Sequence, residues 1–356
     1  MNSDIQVNIP RKDSKYTIFV DDEPIENLKS KFTKITGEKN YLVVISNRVN
    51  KLYSKKLKLD KDKIIVIPDG EKEKNFINYN KILEKLEKLN ITRKGYIVAI
   101  GGGVIGDMAG FAASTYRRGI GLIQIPTTLL ASVDSSVGGK VAINTKTAKN
   151  MVGSFFQPSA VFINLNFLTT LDKKQFLSGI GEVLKYAFIE KSCQALNDYK
   201  LFDFLNVNSD KIMARDFNFL DKIIRTSIAL KVSVVTKDEQ EGGLRKILNF
   251  GHTYGHALEE ITNFNKFTHG EAVVYGMYFI FNYAHKMKFI DANYKEKAIN
   301  FLDKFGFTYK GNKFNKNKIV KLMLADKKVD DDKIKVIIPI APGFVKEEEL
   351  NIQEAF

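Results

Sequence analysis

The sequence predicts an α/β protein in two parts, with an active site in the cleft between them. A parallel-sheet α/β domain covers residues 1–172, and a mostly α-helical domain covers residues 173–356. Three observations carry this. The length of 356 residues exceeds what one growing core usually serves. Short β-branched runs alternate with helical stretches in the first half, as crossover connections require. After Asp172 strand-like runs nearly vanish, and helical spacing takes over.

The elements follow in order. Tyr41–Ser46 (YLVVIS) and Lys63–Pro68 (KIIVIP) are continuous apolar runs bounded by turn residues, the pattern of strands buried on both faces. Asn78–Asn90 sets Ile82, Leu83, Leu86 and Leu89 on one helical face. Tyr96–Ile100 is the next strand and runs straight into Gly101–Asp107. Leu122–Pro126 and Ala160–Leu165 read as two more strands. Helices are expected at Lys173–Lys191, Phe217–Lys237, Gly255–Ile261, Gly270–Met287 and Tyr294–Phe305, and a late strand at Lys335–Ile340. No repeat or low-complexity linker interrupts this order.

Composition narrows the function classes. An apolar content of 44% and an aromatic content of 11% supply a real core. The net charge is +14, yet the lysines are scattered along helices without an Arg-rich or aromatic-interleaved stripe. That reads as a solvated basic surface, with some attraction for an anionic substrate, and not as a nucleic-acid interface. The polar stretch Met1–Pro10 does not read as a signal peptide. The apolar run Ala272–Phe281 is about half of what a bilayer crossing needs, and the single Cys193 cannot pair within the chain. A soluble, cytoplasmic protein with no membrane partner is the expectation.

Three of the four histidines fall close together, at His252, His256 and His269. His252 and His256 are four apart, so on a helix they share a face. Thr253 stands where a zinc-protease HExxH motif would have glutamate, so this is not that arrangement. Gly251, Gly255 and Gly270 beside them permit close backbone approach, and imidazoles with a carboxylate suit a borderline divalent metal. Spacing alone allows all three histidines as ligands and does not select a carboxylate.

Gly101-Gly102-Gly103-Val104-Ile105-Gly106-Asp107 sits between a strand and a helix and satisfies GxGxxG, which suits a pyrophosphate at a helix N-terminus. The ribose-binding acid expected about 20 residues on is missing, and the next acid is Asp134. A second glycine-rich element, Val133–Asn144, places Asp134 and Lys140 beside serines and glycines, which suits a phosphorylated polyol; an ordinary turn is the competing reading.

Taken together, GGGVIGDMAGFAASTYRRGI, QIPTTLLASVDSSVGGKVAIN, KNMVGSFFQP, LTTL with SGIGEVLKYA, LRKILNFGHTYGHALE and HGEAVVYGM resemble the 3-dehydroquinate synthase family of sugar-phosphate cyclases. The resemblance runs from about Tyr41 to Gly343. It implies a Rossmann-like N-terminal domain binding NAD and a helical domain holding Zn²⁺ or Co²⁺. It further implies conversion of 3-deoxy-D-arabino-heptulosonate 7-phosphate to 3-dehydroquinate and phosphate, a lyase step of the shikimate pathway towards aromatic amino acids. The implied course is transient oxidation by NAD, β-elimination of phosphate, re-reduction, ring opening and aldol closure.

Residue by residue, the resemblance makes Glu182, His252 and His269 the metal ligands and moves His256 to the substrate. It places Asn47, Glu71, Lys74, Gly101, Gly102, Gly103, Asp107, Thr127, Thr128, Asp134, Lys149, Asn150, Phe167 and Thr170 around NAD. Lys140, Asn150, Lys185, Lys231, Arg245, Asn249 and His256 fall to the substrate, and one of Lys327 or Lys328 to its phosphate. Arg118 is expected to reach the site of a partner subunit in a homodimer. Gly181 stands where the family usually has alanine, and Ala148 where it usually has glycine. The rival readings are a sister cyclase such as 2-deoxy-scyllo-inosose synthase, a metal-dependent alcohol dehydrogenase of the glycerol type, and a non-enzymatic binding module. Lys231 and Arg245 favour a substrate carrying a carboxylate, which the sister cyclases' substrates lack.

Overall fold

The computed structural model describes residues 15–38, 40–308, 314–326 and 334–356. Its first half is an open parallel sheet wrapped on both faces. In chain order the elements are β1 (Thr17–Asp21), α1 (Leu28–Thr36), β2 (Tyr41–Ser46), α2 (Asn47–Leu57), β3 (Ile64–Ile67), α3 (Phe76–Lys88), β4 (Tyr96–Gly101), α4 (Gly103–Thr115) and β5 (Gly121–Pro126). A small antiparallel hairpin follows, β6 (Lys140–Ile143) with β7 (Val152–Phe155), and then β8 (Ala160–Asn164). The six-stranded sheet has the order β1-β8-β5-β4-β2-β3, and every pair in it is parallel.

The period-2 alternation of a strand explains the two layers. In β2, Tyr41, Val43 and Ile45 pack with α1 and α2, whereas Leu42 and Val44 pack with α3 and α4. Because α2 follows β2 onto one face and α4 follows β4 onto the other, the connections leave the adjacent strands β2 and β4 in opposite directions. That is the topological switch point where open parallel sheets form a ligand crevice at their carboxyl ends. Asn47 and Gly101–Gly103 stand on its two sides.

The second half comprises α5 (Lys173–Ile189), α6 (Leu201–Met213), α7 (Phe217–Val235), α8 (His252–Ile261), α9 (His269–Lys286), α10 (Ala292–Lys304) and α11 (Lys316–Asp326). An antiparallel pair, β9 (Ile334–Ala341) and β10 (Phe344–Leu350), follows, then the short α12 (Ile352–Ala355). Their core is continuous with one face of the sheet, since Val161 and Ile163 of β8 pack among the helices. Helix α5 is buried almost all round, with Phe176 and every residue from Ser178 to Ile189 inside. It is the central helix of the second half.

The strands expected from β-branched runs are all present, and the helices are found within a few residues of their predicted bounds. Several elements were not foreseen, among them α1, α2, α11, β10 and α12, and for three cases the reason is plain. Edge strand β1 is short and half-exposed, and its unbroken apolar run is only the three residues Ile18–Val20. Strand β6 of the hairpin lies inside the glycine-rich motif, whose turn chemistry masks it, and β7 is only four residues long. Helix α6 was hidden because its polar residues sit between apolar ones without a clean stripe, and Asn208 breaks its helical geometry. Among the described residues no helix is long and apolar enough to cross a membrane.

Candidate metal and nucleotide site

Three helices bring the metal-type residues together. Glu182 lies in the middle of α5, fully buried. His252 and His269 are the first residues of α8 and α9. Thr268 caps α9 in a reciprocal box with Glu271, which fixes the first turn and the direction of His269. Helix α8 starts from Gly251 in a left-handed conformation, φ 78°, which a side chain would strain.

The helices approach to backbone contact. A Cβ added at Gly270 would lie 1.9 Å from the Ser178 carbonyl, and one added at Gly276 would lie 1.8 Å from the Gly251 carbonyl. Gly270 N–H donates to Ser178 Oγ at 3.1 Å, one turn before Glu182. At Gly181, a Cβ would meet the Gly270 carbonyl at 2.4 Å, so glycine at this position belongs to the same close seam. Closeness of this kind decides whether three side chains from three helices can share one point.

His252 Nε2 lies 3.3 Å and His269 Nε2 3.2 Å from the same oxygen, Glu182 Oε1. Both carboxylate oxygens of Glu182 are buried without a well-angled hydrogen bond, although the Lys185 ammonium sits against Oε2. Each ring nitrogen on the far side has its own acceptor: His252 Nδ1 faces the Phe250 carbonyl at 3.1 Å, and His269 Nδ1 faces Glu259 Oε2 at 3.1 Å. When both imidazoles are neutral, those acceptors fix the tautomers that turn Nε2 lone pairs to the shared point. Two imidazole nitrogens and an unsatisfied carboxylate converge, and a divalent cation that displaces the proton from His269 fits them.

The electrostatics agree. Burial pushes His269 down, yet the carboxylates of Glu182 and Glu259 outweigh it and raise its pKa to about 10. Burial dominates at His252, which is lowered and neutral. Glu259 is raised by burial but held at about 2 by His269 and Lys149. The site therefore draws a positive charge to itself, and in the metal-free chain a proton on His269 supplies it. His256, Glu259 and His269 form a second group of ligand type. There, however, Lys149 Nζ already faces Glu259 Oε1 at 3.3 Å, so a second cation would meet a fixed ammonium.

The substrate-type residues lie next to this centre. Lys231 of α7 donates to Asp134 Oδ1 at 2.7 Å and to the Asp134 carbonyl at 2.6 Å, and Tyr186 O–H donates to the same carboxylate at 3.0 Å. Burial would raise Asp134, but the Lys231 and Lys185 ammoniums hold it well below the usual carboxylate range. Arg245 is buried and donates to the Gly138 carbonyl at 3.0 Å and to the Glu239 carbonyl, which leaves other guanidinium N–H groups for a ligand. Glu241 pairs with Lys140 and accepts from Asn249 Nδ2 at 2.6 Å. The His256 ring centre is 5.4 Å from that of His252 and 5.9 Å from that of His269.

The nucleotide-type residues gather at the switch point. Gly101 ends β4, Gly102 caps α4, and Gly103 begins it. Thr127 N–H donates to the Gly101 carbonyl at 2.9 Å, and the Thr128 methyl would be 3.2 Å from a Cβ at Gly102, which keeps the turn bare. Lys74 is buried and bridges Asp107 of α4 to Asn150, while Glu71 Oε1 accepts from Asn144 Nδ2 at 2.8 Å. Asn47 opens α2 and is half-buried.

Several assigned residues have their described contacts outside these clusters or lie outside the described residues. Phe167 is in the core edge-on to Tyr53, and Thr170 Oγ1 is 2.7 Å from Tyr53 O–H, so both brace α2. Asp134 faces Lys231 and Lys185 on the substrate side more than the glycine turn. Arg118 is on an exposed turn, φ 64°, and no described contact ties it to this cluster. Lys327 and Lys328 lie outside the described residues. Glu259 and Glu241 are among the residues that were not foreseen. Glu259 is three residues after His256 and seven after His252, a spacing that places an acid on the histidine face of α8. Glu241 lies in a loop and carries no comparable signal.

Two family models match the chain in succession. A family model described as 3-dehydroquinate synthase N-terminal matches residues 64–178, and one described as 3-dehydroquinate synthase C-terminal matches residues 179–329. The 3-dehydroquinate synthase of Alkaliphilus metalliredigens is 40% identical over 324 residues, covering 90% of this chain and 89% of the relative. A 2-epi-5-epi-valiolone synthase of Streptomyces hygroscopicus subsp. jinggangensis, solved with NAD⁺ and Zn²⁺, aligns with TM-score 0.85 at 22% identity over 98% of this chain and 97% of that one. A 2-deoxy-scyllo-inosose synthase solved with carbaglucose-6-phosphate, NAD⁺ and Co²⁺ aligns with TM-score 0.80 at 26% identity over 95% of each chain.

Proposed function

This chain belongs to the 3-dehydroquinate synthase family, and on that premise we propose that Glu182, His252 and His269 hold its divalent metal while the glycine turn at Gly101–Gly103 holds NAD. The reaction is the conversion of 3-deoxy-D-arabino-heptulosonate 7-phosphate to 3-dehydroquinate and phosphate, a carbon–oxygen lyase step without net redox change. The single observation that carries the metal assignment is the buried, unsatisfied Glu182 carboxylate facing Nε2 of both histidines. Similarity to the inosose synthase bound to NAD⁺ and Co²⁺ supports the cofactor pair.

When bound, NAD supplies a temporary hydride acceptor and the metal a Lewis acid at the hydroxyl to be oxidised. The rest falls to the chain's own residues. Lys231 and Arg245 take the substrate carboxylate, Arg245 with the N–H groups its two carbonyl contacts leave over. Lys140, Lys185 and Asn150 orient the phosphate. Lys140 is half-exposed and paired only with Glu241, so a phosphate with its higher charge competes for it directly. Asn249 and His256 line the ring side, and His256 is placed to relay a proton. Enclosing one substrate through several steps makes orientation the main contribution, worth about 7–11 kcal/mol in well-aligned systems.

The division into an NAD-binding part, residues 1–172, and a metal- and substrate-binding part, residues 173–356, belongs to the same reading. So does a cytoplasmic homodimer. The exposed Arg118 turn supports a residue that acts on a partner's site, since within one chain no described contact draws it inward.

The assignment is tested by His269→Ala. Metal analysis of the purified variant should find the ion lost, while NAD titration stays within about twofold of wild type, because α4 and its turn lie in the other half of the molecule. Loss of both would mean a misfolded chain, and retention of the metal would sink the ligand set.

A pH prediction accompanies it. Because His269 titrates near about 10 in the metal-free chain, it carries a proton throughout the neutral range, whereas His252 is already neutral. Metal uptake at pH 7–8 must expel that proton, so apparent affinity should weaken about tenfold for each unit the pH falls. Proton release measured in weakly buffered solution should approach one per ion; a value near zero would mean that His269 is not a ligand.

A further inference from the structure

We infer that Glu259 is a positioning residue for the metal ligand His269, and that the Lys149–Glu259 ion pair latches this ligand to the loop joining the nucleotide and substrate sites. The inference rests on the metal reading above and adds two residues to it. Glu259 is buried on α8 and faces His269 Nδ1 at 3.1 Å. A carboxylate there fixes the tautomer, aims Nε2 at the Glu182 oxygen, and makes the imidazole a stronger donor.

Glu259 does not act alone. Lys149 Nζ lies 3.3 Å from its other oxygen, and the same ammonium stands 3.7 Å over the Phe264 ring, just beyond the end of α8. Lys149 comes from the tight turn 144–150, closed by Thr145 N–H to the Ala148 carbonyl at 3.0 Å and by Asn150 N–H to Asn144 Oδ1 at 2.9 Å. The next residue, Asn150, accepts from Lys74, which pairs with Asp107 of α4. One unbroken polar path therefore runs from the helix behind the glycine turn through Lys74, Asn150 and Lys149 to Glu259 and His269.

Two consequences distinguish this from simple packing. Glu259 should govern metal affinity through a charge–hydrogen-bond effect, and Lys149 should do so only through Glu259.

The test measures Co²⁺ affinity of the full chain by chelator competition, with the visible absorption band of the bound ion as a second readout. Glu259→Gln is expected to weaken Co²⁺ binding by about 10–100-fold and to shift the band, the effect typical of an outer-layer partner. Glu259→Asp should recover part of that loss. Lys149→Met, a partly exposed position that spares the core, should weaken binding by a smaller factor, and its effect should vanish in the Glu259→Gln background. Co²⁺ affinity and spectrum within about twofold of wild type in Lys149→Met and Glu259→Gln, with affinity lost in His269→Ala, would overturn the proposal while leaving the metal reading intact. If Glu259→Gln does not fold, an unchanged Lys149→Met overturns it alone. Retention of Co²⁺ by His269→Ala would overturn both.

Discussion

Glu182→Gln is expected to lose the metal, lose turnover and unfold at lower temperature, all from one isosteric change. Among the described residues, it is the one carboxylate at the point where His252 and His269 converge. Removing a direct ligand should weaken metal binding by more than the about 10–100-fold seen for outer-layer partners. The stability effect has a separate origin. Lys185 is buried, and burial lowers its pKa while Glu182 and Asp134 more than restore it. Without the Glu182 charge that ammonium is stranded, and breaking a buried pair by removing one member costs about 3–5 kcal/mol. At about 2–4 °C per kcal/mol for a domain of this size, the metal-free variant should melt on the order of 10 °C below the metal-free wild type. Calorimetry on chelator-treated proteins checks this. Equal midpoints would show that Lys185 is not held by Glu182.

Lys231→Met should produce the second-largest effect, and in a different parameter. Lys231 is buried, donates to Asp134 twice, and is lowered by burial against the pull of that carboxylate. Methionine keeps the length of the stem but leaves Asp134 with Tyr186 O–H and the more distant Lys185. The Asp134 carboxyl should then rise from its depressed value, so the stability it contributes is lost at a higher pH as the solution is acidified. The cost near neutrality is again about 3–5 kcal/mol. In turnover, loss of a cation facing the substrate carboxylate should appear mainly as a raised KM, on the order of 10–100-fold from one charge-assisted contact of about 1.5–3 kcal/mol. Steady-state kinetics decide it: a large fall in kcat at unchanged KM would place Lys231 in the chemistry and not in binding.

These two residues show how far the sequence could be read. The sheet was legible because strands buried on both faces are written as continuous β-branched runs, and β2, β4, β5 and β8 all have that form. Edge strand β1 escaped because one side of it faces water. His252 and His256 were visible from helical spacing, but spacing could not tell the ligand from its neighbour. The difference lies in direction: His252 and His269 both open helices and point at α5, which only tertiary packing determines. Glu182 is 70 residues before His252, and no local pattern links them; resemblance to the family supplied it. The glycines at 251 and 270 were read as permitting close approach, and the helices do meet there at backbone distance. Glu259 had a readable signal, the same face of the same helix as both histidines. Glu241 had none, because its role depends on a loop meeting Lys140 from 101 residues away.

The most direct test of the whole account is phosphate release by the full chain loaded with NAD and Co²⁺ or Zn²⁺. Supplied with 3-deoxy-D-arabino-heptulosonate 7-phosphate, it should release phosphate, cease to do so on chelation, and accumulate no NADH; glucose 6-phosphate should be left intact. No release with both cofactors present, release from glucose 6-phosphate in preference, or stoichiometric NADH would contradict it.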